Sequence, residues 1–161
     1  MSDIIKKLEQ HRAAVKEQVK TRNAALTAAY LQKLTKDAVM EMIMDAISNT
    51  LENSNADGDI GSVSVALIIR IANNLPGQDI DCTLQEDINT VGAVYHKNSS
   101  GQAHVIIKES VIAEHLKAMG FKIKEITRYH PSSSVTMSRH CIVISEEKPK
   151  PKSFVRRLLG L

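Results

Sequence analysis

"KIKEITRYHPSSSVTMSRHCIVIS", residues 122–145, decides the fold class. Two runs rich in Ile, Val, Thr and Tyr flank "PSSS" at 131–134, a cluster of turn formers. That pattern predicts a β-hairpin. In the second run Cys141 and Val143 point one way, while Ile142 and Ile144 point the other. Apolar residues on both faces predict a central, covered strand.

Upstream, Ile112, Leu116 and Met119 fall on one face of a short helix that Ser110 can cap. Gly120 stands where a left-handed residue ends such a helix, and Phe121 follows where it can fold back onto Leu116. Before that helix, "GAVYHK" (92–97) and "QAHVIIK" (102–108) flank "NSSG" and read as a second hairpin. "DIDCTLQ" (79–85) is a short strand. "SVSVALIIRIA" (62–72) fits two patterns. Val63, Val65, Leu67, Ile69 and Ile71 alternate as in a strand, and Val65, Ile68, Ile69, Ala72 and Leu75 make a helix face. β-branched enrichment favours the strand. The expectation is an α+β fold, with an antiparallel sheet built from hairpins, a short helix between them and helices on one side.

The N-terminal third is different. Residues 3–33 lack Gly and Pro and read as one long helix, which Ser2 or Asp3 can cap. Ile5, Leu8, Arg12, Val15, Val19, Arg22 and Leu26 follow a 3-4 spacing, a narrow seam suited to lying along one partner. That partner is either another subunit or the protein's own globular part. Ile5, Leu8, Val15, Val19 and Leu26 are the candidate oligomer contacts. Thr35 can cap a second helix over 36–52, with Leu34 stapled to Val39, and its stripe Val39, Ile43, Ile47 and Leu51, widened by Met40 and Met44, should pack on the core. "NSNADGDIG" (53–61) is a loop whose spacing fails as a calcium site. The organisation is a helical arm of two helices (1–54), an α+β domain (55–146) and a basic tail (147–161).

Charge is blocked along the chain. Residues 1–36 carry eight Lys/Arg against three Asp/Glu, residues 37–100 two against ten, and residues 101–161 eleven against five. Such blocks fit polyanion steering or complementarity between basic and acidic parts of the assembly. No secretion signal and no apolar run of about 20 residues is present, so no membrane span is expected. Cys82 and Cys141 form no paired motif, and a cytoplasmic protein with reduced thiols is expected.

Catalytic patterns are missing. The six histidines show no ligand-type spacing, so no metal or cofactor is expected. His140 and Cys141 are adjacent in a strand and face opposite ways, which rules out a dyad and leaves Cys141 as a small buried thiol. "HPSS" (130–133) matches half of a two-part phosphoesterase element, and no second copy carries the hydroxyl. There is no P-loop, no dinucleotide glycine pattern and no Ser-His-Asp order. The expectation is a protein that is not an enzyme. Lys122, Lys124, Arg128, Tyr129 and Arg139 form a basic sheet face with one aromatic, and single-stranded RNA or DNA is the alternative partner.

The stretch "HLKAMGFKIKEITRYHPSSSVTMSRHCIVISEE" (115–147) resembles the C-terminal unit of small accessory proteins of tailed bacteriophages. The shared features are a short helix ending in Gly-aromatic and a hairpin closing on Ile-Ser; Glu146 stands where those proteins often have Trp. The resemblance implies a phage origin, as a virion component or a small binding protein, and carries over no functional residue.

The tail completes the reading. "KPKPK" (148–152) prefers an extended spacer. In "SFVRRLLGL", Phe154, Val155, Leu158, Leu159 and Leu161 fall on one side of a short helix, with Arg156 and Arg157 on the other. Nine residues are too few to hold a helix alone. The tail therefore reads as a docking element for a protein groove or a neighbouring subunit. The alternatives are a membrane surface or the protein's own sheet. Together these features point to a non-catalytic assembly or adaptor protein working as a homo-oligomer or within a larger assembly.

Overall fold

The computed structural model describes residues 1–53, 61–88, 103–132 and 135–145. Helix α1 runs Ser2–Lys33 and α2 Lys36–Asn53. Then follow β1 (Ser62–Ser64), α3 (Val65–Asn73), β2 (Ile80–Gln85) and β3 (Asp87–Ile88). The chain closes with β4 (Ala103–Lys108), α4 (Glu109–Ala118), β5 (Ile123–His130) and β6 (Val135–Val143). The fold is α+β.

β6 is the central strand of the main sheet. The whole of β5 pairs with it antiparallel, from Ile123 opposite Ile142 to His130 opposite Val135, so the predicted 122–145 hairpin forms. On its other edge β6 takes β1 at Cys141–Val143 and β3 at Met137–Ser138, both antiparallel. Coverage is one-sided: His140 and Ile142 are buried, while Cys141 and Val143 on the other face are half-buried. The expected buried thiol at 141 is thus only half covered. β2 and β4 form a separate parallel pair, Ile80 opposite Ala103 through Gln85 opposite Lys108. The first strand of the hairpin expected at 92–97 lies outside the described residues; the described partner of β4 is β2.

The 62–72 segment corrects the strand expectation. Only Ser62–Ser64 is strand, and helix α3 starts at Val65. The Ser64 hydroxyl accepts the Leu67 N–H at 3.1 Å, a side-chain cap that starts the helix directly after the strand. Val65, Ile68, Ile69 and Ala72 are all buried on one side, because α3 packs against α2, α4, β1, β2 and β6. That packing outweighs the β-branched preference for a strand.

Caps explain the other helix ends. Thr35 Oγ1 accepts the Ala38 N–H at 3.3 Å, and Leu34 and Val39 share the core beneath. α1 starts with Met1 in the cap position and has no side-chain cap, contrary to the Ser2 or Asp3 expectation. α4 starts at Glu109 after Lys108, also without a side-chain cap, so Ser110 is not the cap. At its other end Gly120 has φ +97°, its N–H donates to Lys117 O, and Phe121 N–H donates to Leu116 O. These two bonds are the left-handed termination expected from "GF".

Candidate functional site

α1 divides into two halves. At 1.5 Å per residue its 32 residues span about 48 Å. Residues 1–18 are all exposed, including Ile4 (62%), Ile5 (55%), Leu8 (49%) and Val15 (44%). Beyond them the same stripe goes under cover. Val19 and Leu26 are half-buried, Leu26 packs against the core, and Tyr30 is fully buried. The five predicted seam residues are therefore split between two environments.

The buried end is tied down by polar contacts. Tyr30 Oη–H donates to Asn73 Oδ1 at 3.1 Å. The same Asn73 oxygen accepts Cys82 N–H at 3.0 Å, and its amide donates to Cys82 O at 2.6 Å. Asn73 thus acts as a one-residue strand beside Cys82 of β2. Lys33 Nζ donates to Gln78 Oε1, and His115 Nε2–H donates to the Leu34 carbonyl at 3.0 Å. Burial raises the Tyr30 hydroxyl pKa well above its ordinary value and pushes the Cys82 thiol up to about 12. Cys82 is therefore an inert core thiol.

By register the basic positions of the face expected to bind nucleic acid, Lys124, Arg128 and Arg139, fall on one side of the sheet, and the aromatic position does not join them. Lys122 and Lys124 are exposed, and Tyr129 is 64% exposed. The register puts Lys124 opposite Cys141 and Ile126 opposite Arg139, so Lys124 and Arg139 share one face. Tyr129, an odd number of residues from Lys124 along β5, belongs to the other face. Arg128 sits in β5 opposite Met137. Arg139 is engaged by Glu86, and its Nη1 lies 3.7 Å from Glu109 Oε2.

Glu109 and His140 form a buried polar pair that the sequence did not flag. β1 and β3 leave a gap on the edge of β6 at residues 139–140. The His140 backbone N–H faces that gap and donates to Glu109 Oε1 at 2.8 Å. A side-chain carboxylate thus completes the ladder where no strand does. It stands in the first turn of α4, where the helix dipole favours an anion. Among the described residues, buried Glu109 Oε2 and His140 Nδ1 have no hydrogen-bond partner, and His140 Nδ1 lies 3.8 Å from Glu109 Oε1. Ser64, Ala66, Glu109, Ile126, Arg139, His140 and Cys141 line a cavity of about 320 Å³. Among the described residues no group of three or more His, Cys, Asp or Glu is arranged to hold a metal ion, and no helix is long and apolar enough to cross a membrane. The residues expected to dock a partner, Phe154, Val155, Arg156, Arg157, Leu158, Leu159 and Leu161, lie outside the described residues.

Compared with known proteins, the chain matches no family model, no curated protein sequence and no solved structure.

Proposed function

We propose that this protein is a non-catalytic assembly or adaptor component, acting through protein–protein contacts of its helical arm and C-terminal tail. One observation carries the reading: the apolar positions of α1, with Arg22 and Arg12 between them, continue from a buried anchor at Tyr30 to exposed Val15, Leu8, Ile5 and Ile4. An exposed apolar stripe on a rigid element marks an interaction surface. The C-terminal resemblance to phage accessory proteins gives the setting in which such a component would act. Nucleic-acid binding is the weaker reading, because Arg139 is engaged by two carboxylates and Tyr129 lies on the face opposite Lys124.

Removal of residues 1–18 tests the proposal. Circular dichroism should show loss of the arm's helix only, thermal unfolding should change little, and light scattering should show loss of self-association or of a co-purifying subunit. A truncated chain that assembles like the full chain would refute the arm as a docking element.

A further inference from the structure

The arm has its complement elsewhere on the same molecule. α2 buries Val39, Met42, Ile43 and Ala46, and turns its other side to solvent. That outer side carries exposed Asp37, Glu41 and Asp45 at four-residue spacing, with exposed Met40 (47%) and Met44 (59%) beside them. Lys36, at its first position, is the only cation in the helix. None of the three carboxylates makes an ion pair among the described residues.

On the arm, Arg12, Lys16 and Lys20 are exposed at the same four-residue spacing, bordered by Leu8 and Val15. Both charge rows therefore advance by about 6 Å per step along their helices. Three cations can meet three carboxylates in register while apolar side chains meet beside them. Methionine suits the receiving side, because its flexible thioether adapts to an irregular partner surface. The two surfaces do not meet within one chain, since both are exposed there. Nor does the arm have a natural fold-back point, because α1 is one helix without Gly or Pro, held at its far end by Tyr30.

We infer that the arm of one copy docks on the acidic, methionine-bearing face of α2 in a second copy, and that the exchange is reciprocal. The inference rests on the arm being a docking element and names its partner. In a two-fold pair each copy supplies one arm and one α2 face, so the contact is made twice.

The test is charge reversal in the full chain, read by analytical ultracentrifugation over a range of concentrations. One variant carries Arg12→Glu, Lys16→Glu and Lys20→Glu; the other carries Asp37→Lys, Glu41→Lys and Asp45→Lys. All six residues are exposed, so both variants should fold, and circular dichroism checks this. Wild type should dimerise, and each variant alone should dimerise about tenfold more weakly or worse. An equimolar mixture should recover the dimer, because an acidic arm then meets a basic α2 and a basic arm an acidic one. A mixture that stays monomeric, or a wild type that is monomeric at every concentration, overturns the exchange. If both reversed variants remain dimeric while Leu8→Ser with Val15→Ser does not, the arm still docks and α2 is not its partner. If none of the three weakens the dimer, the arm reading fails as well.

Discussion

The two halves of α1 share one helix and one apolar stripe, and they differ in everything else. From Val19 to Tyr30 the stripe enters the core and ends on an Asn73-mediated link to β2. From Ile4 to Val15 the stripe is exposed. Helix formation in the two halves therefore has different sources. The inner half is fixed by packing, and the outer half extends from it by propagation. A seam of regular spacing says that a helix has something to lie against. It does not say where its own domain stops and a partner begins.

The sharpest way to break the inner half is Tyr30→Ala. Loss of a fully buried aromatic should destabilise the fold by about 3–5 kcal/mol in denaturant unfolding. A cost below about 1 kcal/mol would mean that the anchor is not at Tyr30.

Glu109→Ala comes next and sets a buried charge against the arm's exposed ones. It leaves the His140 N–H without an acceptor, at a cost of about 1–3 kcal/mol. Arg12→Ala on the arm should cost less than about 0.5 kcal/mol under the same conditions. Equal costs would remove the distinction between a carboxylate that completes a sheet and charges that await a partner.

Alkali probes the inner half without mutation. The folded state holds the Cys82 thiol and the Tyr30 hydroxyl neutral at a pH where the unfolded chain releases their protons. The folded state then binds more protons, so stability must fall as pH rises. The Cys82 contribution is fully present below the ordinary thiol value near pH 9 and is lost towards pH 12, and the Tyr30 contribution begins to fall only above pH 10. The melting temperature should decline through this window, and the decline should be shallower in Cys82→Ala.

The smallest expected effect on stability is in the outer half. Leu8→Ala should change unfolding free energy by less than about 0.5 kcal/mol while weakening self-association in sedimentation. A large drop in melting temperature of a dilute sample would show that the arm packs on its own domain.

Much of the scaffold was legible because local signals agreed with the final packing. "PSSS" between two alternating runs gave the hairpin, "MGF" gave the end of α4, and Thr35 gave the start of α2. Residues 62–72 misled because alternation and β-branching read as strand, while the deciding group was the hydroxyl of Ser64. The Glu109–His140 pair was not legible at all. Its meaning depends on the gap between β1 and β3, strands that come from distant parts of the chain. From sequence alone, Glu109 looks like any carboxylate just before a helix. The division of α1 was hidden for a similar reason, since only the placement of β2, β4 and α3 decides how far along the helix cover extends.

The continuity of α1 past Val19 has a consequence for how the arm waits. A free peptide of 18 residues pays the nucleation cost of its first turn and hovers near the helix–coil midpoint. Joined to a turn already fixed at Tyr30, the same residues need only elongate. Their amides should exchange with solvent in a gradient, fastest at Ser2 and slowest towards Val19, while amides around Tyr30 open only with the whole domain. The arm is thus held close to its bound shape before any encounter, and docking requires little further ordering of its backbone.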